Sequence, residues 1–464
     1  VIKLEQNYRS TKNILNTANE VICNNKGRKE KSLWTDNEEG EPVHFTQFET
    51  DFEEADTITA EIKRIVESGK AGYNDFAILY RTNAQSRLFE EKLILRNIPY
   101  KIIGSVNFYA RREIKDILAY LKTIDNGLDN IAVKRIINVP RRGIGLITMD
   151  RVNDYALQNE ISFYEALTRA NHIPGLERAA SKITPFVSLM EGLKSRLKQE
   201  GYSLSELIDD ILDATGYLRE LEEEGSDEAM DRIANIDELV NKLVTYEENA
   251  EEEPTLSGFL EEVALVSDID NLEEGSDNIV LMTLHSAKGL EFPYVYMCGM
   301  EEGIFPGYRS IYAENPQEEI EEERRLCYVG ITRAMKCLSL TAAKQRMLRG
   351  ETQYNSPSRF IQEIPRYLLN ITAPAASKRF APSYQSANQP AYQPYLAPKP
   401  KQFEGANMGI LGYGIGDTVK HIKFGTGIVT GITKGGKDYE VTVDFPKFGT
   451  KKLLSSFAKL VKIN

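Results

Sequence analysis

The alternation of apolar and polar positions divides the chain into several regions. Over residues 1–108, short apolar runs typical of buried strands alternate with segments whose apolar residues recur every three or four positions, as on one face of a helix. The predicted strands are 1–4, 43–48, 76–80 and 100–103; the predicted helices begin after Ser10 and Thr11 and cover 52–67 and 84–95. This order of elements predicts a parallel sheet covered by helices.

The rhythm changes after residue 108 and later returns. Residues 109–278 show helical periodicity without a convincing strand. Apolar runs typical of strands return at 279–284 and 294–300, followed by a predicted helix over 317–336 and a strand over 337–342. The simplest arrangement is one α/β domain in two pieces, 1–108 and 279–366, with a helical domain inserted between them.

The remaining residues predict a linker and a small β domain. Residues 367–408 are rich in Pro, Ala, Ser, Gln and Tyr and lack apolar periodicity, which predicts a flexible linker. Residues 409–464 contain four or five short β segments separated by glycine-rich turns. So many strands in so short a stretch predict an SH3- or Tudor-like barrel.

Composition favours a soluble globular protein, since 41% of the residues are hydrophobic and 27% are charged. There is no signal peptide or apolar run long enough for a membrane helix, so the cytoplasm is the expected compartment. The net charge of −12 is local: residues 220–253 hold fourteen acids and two bases, so the remainder sums to zero and can carry basic patches for nucleic acid. Four scattered cysteines without a CxxC pair disfavour a disulfide framework and a zinc site.

The sequence contains no GxxxxGK[ST] phosphate-binding loop. Its acidic pairs, at 227–228 and 237–238, lie in the helical region rather than after an apolar strand, where they would hold Mg²⁺. A stand-alone P-loop ATPase is therefore excluded. Because Val1 falls inside a strand-like run, we expect the chain to be part of a longer protein.

Three segments carry most of the candidate chemistry: Leu4-Glu-Gln-Asn-Tyr-Arg-Ser-Thr11, Thr283-Leu-His-Ser-Ala-Lys-Gly-Leu-Glu-Phe292, and Glu321-Glu-Glu-Arg-Arg-Leu-Cys-Tyr-Val-Gly-Ile-Thr-Arg-Ala334. In order and context they resemble motifs IV, V and VI of superfamily 1 DNA helicases of the UvrD/PcrA/Rep group. Residues 300–306 are also similar to that group, and the resemblance covers essentially the whole chain. It implies a RecA-like second motor domain interrupted by a helical inserted domain.

Two arginines are candidates for contact with a nucleotide. Arg9 lies at a strand-to-helix turn, where its guanidinium can make bidentate contact with phosphate or pair with Glu5. Arg333 is predicted near the end of the 317–336 helix, where nearby glutamates are alternative partners. The resemblance implies that both arginines reach ATP across an interdomain cleft, with Arg333 as an arginine finger.

The same resemblance places two further residues near the nucleotide. Tyr8 is expected beside the base or ribose, and Glu291 on the ribose, although Glu291 could instead cap its local turn. The Mg²⁺ that accompanies ATP is expected to be held by a first motor domain outside these residues.

Contacts with single-stranded DNA are expected at the carboxyl ends of the strands, where ligands of open parallel sheets bind. Arg81 and Asn83 follow one strand, although Asn83 could instead cap the 84–95 helix. The resemblance implies that Thr283 and His285 contact the DNA backbone or couple it to ATP, while a structural role is the alternative for His285. Lys288, on the turn before Glu291, is also a candidate for DNA contact.

A candidate site for duplex DNA lies in the helical region. The segment Asn138-Val-Pro-Arg-Arg-Gly-Ile-Gly145 separates two helical stretches, and its glycines allow a DNA backbone to approach the amino end of the next helix. It resembles a helix-hairpin-helix GIG element, which binds duplex without sequence preference; a plain corner between helices is the alternative. The candidate residues are Arg141, Arg142, Gly143, Ile144 and Gly145.

The resemblance as a whole implies the C-terminal half of an ATP-dependent 3′-to-5′ DNA helicase of repair or replication, inactive by itself, whose barrel contacts RNA polymerase. Two other classes stay open. A RecB/AddA-like helicase-nuclease would need clustered Asp, Glu and Lys near the C-terminus, where nine lysines and five acids follow from Glu404 on in a small β domain. A non-catalytic DNA- or RNA polymerase-binding adaptor is the other class.

Overall fold

The computed structural model describes residues 5–27, 33–250, 253–269, 277–372, 414–421, 425–434, 439–446, 449–454 and 461–462. The chain divides into two compact units, residues 1–379 and 380–464. The predicted strand at 1–4 and residues 373–408 of the predicted linker lie outside the described residues. No helix among the residues that the structure describes is both long and apolar enough to cross a membrane.

The first unit is built around one sheet of eight strands. These are β1 (Val43–Thr50), β2 (Phe76–Tyr80), β3 (Tyr100–Ile103), β4 (Ile279–Thr283), β5 (Phe292–Met297), β6 (Ala334–Leu348), β7 (Glu351–Tyr354) and β8 (Leu369–Thr372). They lie in the order β3-β4-β2-β5-β6-β1-β8 with every neighbouring pair parallel, and β7 pairs antiparallel with β6. The predicted parallel sheet is therefore confirmed.

Helices cover both faces of this sheet. In chain order, the α-helices of the described residues, including those of the inserted domain, are α1 (Lys12–Ile22), α2 (Asp51–Glu67), α3 (Ser86–Leu95), α4 (Arg112–Asp125), α5 (Asn130–Ile136), α6 (Leu146–Gln158), α7 (Phe163–Thr168), α8 (Glu177–Leu197), α9 (Leu204–Thr215), α10 (Tyr217–Glu224), α11 (Asp227–Asn249), α12 (Leu256–Ile269), α13 (Tyr308–Ile311), α14 (Pro316–Ile331) and α15 (Arg359–Gln362). Successive side chains of a strand point to opposite faces. Ala77 and Leu79 of β2 therefore pack with α1 and α14, whereas Phe76 and Ile78 pack with α2 and α3.

Helices α4 to α12 form an insertion between β3 and β4 with a hydrophobic core of its own, which extends from Phe108 to Val263. The insertion joins the sheet domain through buried polar contacts. Arg111, 4% exposed, donates to the Ser86 hydroxyl at 2.7 Å and to Asn235 Oδ1 at 2.7 Å. The Phe108 amide donates to Glu90 at 2.9 Å. Buried polar groups that all find partners favour one arrangement of the two parts over others.

Several elements differ from the sequence prediction. The helix predicted over 317–336 ends at Ile331, because the Thr332 hydroxyl and the Arg333 side chain both bond back to the Val329 carbonyl. The following strand starts at Ala334 and is longer than predicted. Residues 369–372, at the start of the predicted linker, form the edge strand β8, whose mixed and largely exposed residues show no apolar run.

The second unit contains β9 (Thr418–His421), β10 (Gly425–Lys434), β11 (Tyr439–Phe445), β12 (Gly449–Leu454) and β13 (Val461–Lys462). They form an antiparallel sheet in the order β12-β11-β10-β9-β13, with Val419, Val441 and Phe445 in its core. Gly427 lies in β10. A Cβ there would stand 2.5 Å from the Phe445 ring, so glycine permits the close packing.

Candidate nucleotide and nucleic-acid sites

Three distant segments meet at the amino ends of β5 and β6. Arg9 Nε donates to the Glu291 carboxylate, and Arg9 Nη1 donates to the Thr332 carbonyl at 3.1 Å. Arg333 follows α14, and its Nη1 donates to the Leu290 carbonyl at 3.0 Å. We call Arg9, Glu291 and Arg333 the amino-edge cluster. The structure thus brings together three of the four residues predicted to lie near ATP.

The segment before α1 fixes the position of Arg9. Asn7 Oδ1 accepts from the amides of Arg9 at 2.8 Å and Ser10 at 2.9 Å, which closes a tight turn. The Ser10 hydroxyl donates to the Ala334 carbonyl at 2.6 Å, so the start of α1 is bonded to β6. Neither Ser10 nor Thr11 makes a side-chain cap of α1, contrary to the prediction, because Ser10 is committed to β6. The carboxylate that pairs with Arg9 is Glu291 rather than Glu5.

The amino-edge cluster has more positive than negative charge. Its two guanidinium groups have one carboxylate between them, that of Glu291, whose side chain is 48% exposed. Burial and the neighbouring Arg9 lower the pKa of Arg333, and Glu291 opposes this shift. A guanidinium whose charged form is disfavoured in this way would gain from an incoming anion. The cluster therefore suits a phosphate group.

Tyr8 lies beside the cluster on an open surface. Its side chain is 79% exposed, and its hydroxyl donates to Gln6 Oε1 at 2.7 Å. The backbone of Gln6 bridges to Trp34, the single tryptophan of the sequence, which is 48% exposed. Two exposed aromatic rings on neighbouring segments offer surfaces on which a base can stack. Trp34 was not predicted as a candidate from the sequence, although it is the single tryptophan of the chain.

Four of the five candidates for contact with single-stranded DNA lie around a cavity of about 1060 Å³ at the opposite edge of the sheet, which we call the carboxyl-edge cavity. Arg81, Asn83, Thr283 and His285 all line it. So do nine acidic residues, against three arginines: Asp51, Glu54, Asp227, Asp231, Asp237, Glu238, Glu319, Glu322 and Glu323, with Arg81, Arg309 and Arg346. The strand ends bring the predicted residues together, but in an acidic setting.

Arg81 is paired within this cavity. Its Nε donates to both oxygens of Glu323 at 3.0 and 3.1 Å, and its Nη2 donates to Glu323 Oε1 at 2.7 Å. Burial would lower the pKa of Arg81, but the hydrogen bonds and charge of Glu323 raise it above its ordinary value. In this conformation the charge of Arg81 is therefore neutralised by Glu323.

Asn83 contacts the insertion rather than capping α3. Its side-chain amide donates to Asp231 of α11 at 3.3 Å. The turn before α3 is instead closed by Thr82 and Gln85, since Gln85 Oε1 accepts from the Thr82 amide at 3.0 Å. Asn83 thus links this edge of the sheet to a helix of the insertion.

Thr283 and His285 lie where β4 ends. The Thr283 hydroxyl stands 3.1 Å from the Ser286 hydroxyl and accepts from the Ser286 amide at 3.3 Å, which closes a turn. Burial, followed by the charge of Arg81, lowers the pKa of His285, so its imidazole is neutral at neutral pH. Lys288 is exposed on the following turns.

One short segment connects the two edges of the sheet. Residues 284–291 run from the carboxyl end of β4 to the amino end of β5, and the side chains of Leu284 and Ala287 within this segment are buried. Helix α14 packs close to this segment, since a Cβ on Gly330 would stand 2.5 Å from the Leu284 side chain. The segment thus joins the carboxyl-edge cavity, at Thr283 and His285, to Glu291 in the amino-edge cluster.

The predicted GIG element connects α5 to α6. Gly143 has a positive φ of 71°, and Ile144, 2% exposed, anchors the turn in the core of the insertion. Asn138 Oδ1 accepts from the amides of Arg142 at 2.8 Å and Ile144 at 3.2 Å. Gly145 provides no side-chain cap for α6, so the first amides of this helix point outward without a side-chain acceptor, a geometry suited to phosphate.

The two arginines of this element have different surroundings. Arg142 turns inward, where its Nη1 donates to the Ile136 carbonyl at 2.9 Å and its Nη2 to the Tyr120 hydroxyl at 2.7 Å. The donors of Arg142 are thus used within the protein in this conformation, and contact of Arg142 with DNA stays a prediction. Arg141 is exposed, and Lys182, which the sequence analysis missed, donates to the Gly143 carbonyl at 3.1 Å.

Comparison with known proteins shows that the chain is similar to two protein families and to named relatives along most of its length. The family of the UvrD-like helicase C-terminal domain matches residues 2–345, and the PcrA/UvrD tudor domain matches residues 415–462. The chain is 42% identical over 462 residues to an ATP-dependent DNA helicase PcrA of Staphylococcus aureus (strain Mu50), and 43% identical over 472 residues to one of Bacillus subtilis (strain 168).

These matches cover 99% and 100% of this chain, respectively, and 62% of each relative, so the chain spans less than two thirds of their length. A solved structure of the C-terminal domain of a possible DNA helicase from Lactobacillus plantarum aligns with 78% of this chain and 98% of its own, at 11% identity and a TM-score of 0.30. The match to residues 2–345 includes the amino-edge cluster, the GIG element and most of the residues that line the carboxyl-edge cavity. The chain therefore belongs to the UvrD-like helicase C-terminal domain family.

Proposed function

We propose that this chain supplies the second motor domain of an ATP-dependent DNA helicase that moves 3′ to 5′ along single-stranded DNA. The observation that carries the proposal is the amino-edge cluster, in which the Glu291 carboxylate accepts from Arg9 and also interacts electrostatically with Arg333. The names of the PcrA relatives support the same activity. In the proposed complex, ATP and its Mg²⁺ are held by a first motor domain that faces this cluster.

The cluster acts on ATP through its positive charge. ATP supplies the phosphoryl group, and Arg333 neutralises the charge that develops on this group during transfer, as an arginine finger does. Arg9 contacts the same phosphate, and Glu291, once released from Arg9, accepts from the ribose hydroxyls. Tyr8 stacks beside the base. The cluster fits this role because, among the residues that the structure describes, Glu291 is the one carboxylate paired with either arginine.

Two elements of the chain connect this step to DNA. Residues 284–291 run from the cluster to the carboxyl-edge cavity, and α14 carries Glu323 in the cavity and leads into Arg333 at the cluster. A shift of α14 on phosphate binding would change the pairing of Arg81 with Glu323. We propose that Arg81, Asn83, Thr283, His285 and Lys288 contact the DNA strand once these acidic partners have moved.

We also propose that the GIG element holds the duplex ahead of the junction. The amides at the start of α6, the backbone at Gly143 and the exposed Arg141 would contact phosphates without reading bases. The family match at 415–462 disfavours the helicase-nuclease alternative, since a PcrA/UvrD tudor domain stands where that class would need nuclease residues. Docking on RNA polymerase is the role that we propose for this domain, in a cytoplasmic protein of repair or replication.

The proposal is tested by comparing this chain with the complete protein. We expect the 464-residue chain to bind single-stranded DNA weakly and to show no DNA-stimulated ATP hydrolysis. The complete protein should hydrolyse ATP and unwind a duplex with a 3′ single-stranded tail in preference to one with a 5′ tail. Robust turnover by the chain alone would contradict the division of the site between two domains. DNA binding by the complete protein without turnover would favour the adaptor alternative.

A further inference from the structure

Three side chains of types that can bind a metal lie on β1, on β6 and in the loop before β1, away from the sites described above. Glu41 Oε2 stands 3.3 Å from His44 Nε2, and Cys337 Sγ completes a set of three ligand atoms that all lie within 4.8 Å of one another. His44 pairs in register with Ser339, two residues from Cys337 on β6. His44 and Cys337 therefore project from the same face of the sheet.

The three donors form a chemically consistent set. A cysteine sulfur, a histidine nitrogen and a carboxylate oxygen are the donors that bind Zn²⁺, at about 2.0–2.3 Å from the ion. Ligand atoms within 4.8 Å of one another can reach a single ion with small side-chain movements. The Glu41 side chain is 75% exposed and that of His44 is 28% exposed, so an ion has a path from solvent.

A further residue orients the histidine. Asn370, on the neighbouring strand β8, places its side-chain amide 3.3 Å from His44 Nδ1. Histidine ligands of metals donate their other ring N–H to a polar partner, which fixes the ring. In the structure the nitrogen of this amide, Nδ2, faces Nδ1. Rotation of the amide would place its oxygen there, and the Nε2 lone pair of His44 would then point to Glu41 and Cys337.

We propose that Glu41, His44 and Cys337 bind one divalent transition-metal ion, with Zn²⁺ favoured by the donor set. The proposal is independent of the helicase function. Sequence spacing predicted no metal site, because no two cysteines are closely spaced and Cys337 is far along the chain from the other two ligands. The fold brings the strands that carry them side by side.

A bound ion would brace the loop before β1. The backbone of this loop accepts hydrogen bonds from the start of α1, since the Lys12 amide donates to the Glu38 carbonyl at 3.0 Å and the Asn13 side chain to the Gly40 carbonyl at 2.9 Å. Arg9 lies just before this helix. The ion would therefore fix the loop against β1 and β6 beside the amino-edge cluster.

The experiment uses the 464-residue chain, stripped of metal by a chelator and titrated with Co²⁺ as a spectroscopic probe. We expect one equivalent to bind, with a sulfur-to-cobalt charge-transfer band, and Zn²⁺ to displace it. Cys337→Ser should abolish the band, and His44→Gln should weaken binding at least tenfold. Asn370→Ala should weaken it about 10- to 100-fold, as expected for a residue that orients a ligand.

Matched variants serve as controls. Cys23→Ser and His172→Gln alter an exposed cysteine and an exposed histidine elsewhere and should leave Co²⁺ binding unchanged. Because Cys337 is partly buried and its replacement could perturb β6, Glu41→Gln provides a test at an exposed position. The proposal is overturned if the band is absent from the unmodified chain or survives in Cys337→Ser. It is also overturned if neither Glu41→Gln nor His44→Gln weakens binding.

Discussion

Arginines at the two edges of the main sheet have different partners. At the amino edge, Arg9 and Arg333 have the single carboxylate of Glu291 between them, and most of their other hydrogen bonds go to backbone carbonyls. At the carboxyl edge, Arg81 is held bidentately by Glu323, and Arg346 is held by Glu54 and Glu301. The amino-edge cluster therefore has an excess of positive charge, whereas the arginines of the carboxyl edge are neutralised by paired carboxylates.

This difference means that the amino-edge cluster can bind an anion as it stands, whereas ion pairs in the carboxyl-edge cavity must first separate. A phosphate that enters the amino-edge cluster meets guanidinium groups without displacing a saturated ion pair. A phosphate that approaches the carboxyl-edge cavity meets an excess of carboxylates and must separate Arg81 from Glu323. Contact with ATP is therefore expected to precede strong contact with DNA at these residues, because the pairs of the cavity must break before Arg81 becomes available.

The largest expected effect comes from Arg333→Ala in the complete protein. If Arg333 neutralises the transferring phosphoryl group, ATP hydrolysis should fall by about 10³-fold while ATP binding largely survives. Steady-state turnover and equilibrium binding of a fluorescent ATP analogue measure the two quantities separately. Arg325→Ala removes another arginine of the same region, which pairs with Glu322 on the surface of α14, and should leave turnover near that of the unmodified protein. Equal losses in both variants would contradict the assignment of Arg333.

Arg346→Met tests the closed pairs of the carboxyl edge. Arg346 donates to Glu301 at 2.8 Å and also contacts Glu54, and both glutamates are fully buried. Removal of one partner of a buried ion pair leaves uncompensated charge, which costs about 3–5 kcal/mol of unfolding free energy. Urea unfolding followed by circular dichroism measures the loss. Arg349→Met, a control at a half-exposed arginine that faces Asp209 at 3.8 Å, should cost less than about 1 kcal/mol.

The bounds of β2, in the interior of the sheet, and of β3, at one end of the strand order, could be predicted from the sequence to the residue. Central parallel strands are apolar on both faces, so they stand out as short runs between polar turns. The edge strand β8 could not be predicted, because its residues are mixed and its place depends on pairing with β1. The end of α14 was also misplaced, because hydrogen bonds of the Thr332 and Arg333 side chains end the helix, and apolar periodicity does not show them.

The sequence predicted individual residues of the candidate sites but not the residues with which they pair. A motif indicated Arg9 and a strand end indicated Arg81, but their partners Glu291 and Glu323 lie 282 and 242 positions away along the chain. Only the fold shows that the Glu291 carboxylate bonded to Arg9 also lies near Arg333, whereas Arg81 is held by Glu323. The inward orientation of Arg142 was hidden for the same reason, since Tyr120 comes from another helix.

Glu323→Gln sharpens the comparison by opening the pair that holds Arg81. A freed Arg81 should add one phosphate contact, so the affinity for single-stranded DNA at low salt should rise about tenfold. The slope of log affinity against log salt should steepen by about 0.7. Fluorescence anisotropy over a salt series measures both values. Glu319→Gln removes an exposed acid of the same helix that also lines the cavity, and should change the affinity less. Unchanged binding in Glu323→Gln would show that Arg81 does not contact DNA.

The smallest expected effect measures the crowding of acids in the carboxyl-edge cavity. Burial raises the pKa of Asp237 to about 6, and Glu238 and Asp209 add to the shift while Arg349 opposes it. The folded state therefore binds this proton more tightly than the unfolded chain does, so ionisation costs stability as the pH rises from about 4 to 6. Asp237→Asn removes this cost and should raise the unfolding free energy above pH 6, by on the order of 1 kcal/mol after solvent screening, with no gain near pH 3.5.

Urea midpoints at the two pH values, with the exposed Asp213→Asn as a control, measure this difference. The control should show a much smaller change between the two conditions, because Asp213 does not line the cavity. If Asp237→Asn gained as much stability at pH 3.5 as at pH 7.5, the gain would come from packing or hydrogen bonding. The stability gain would then give no evidence for the excess of negative charge that we infer for the carboxyl-edge cavity.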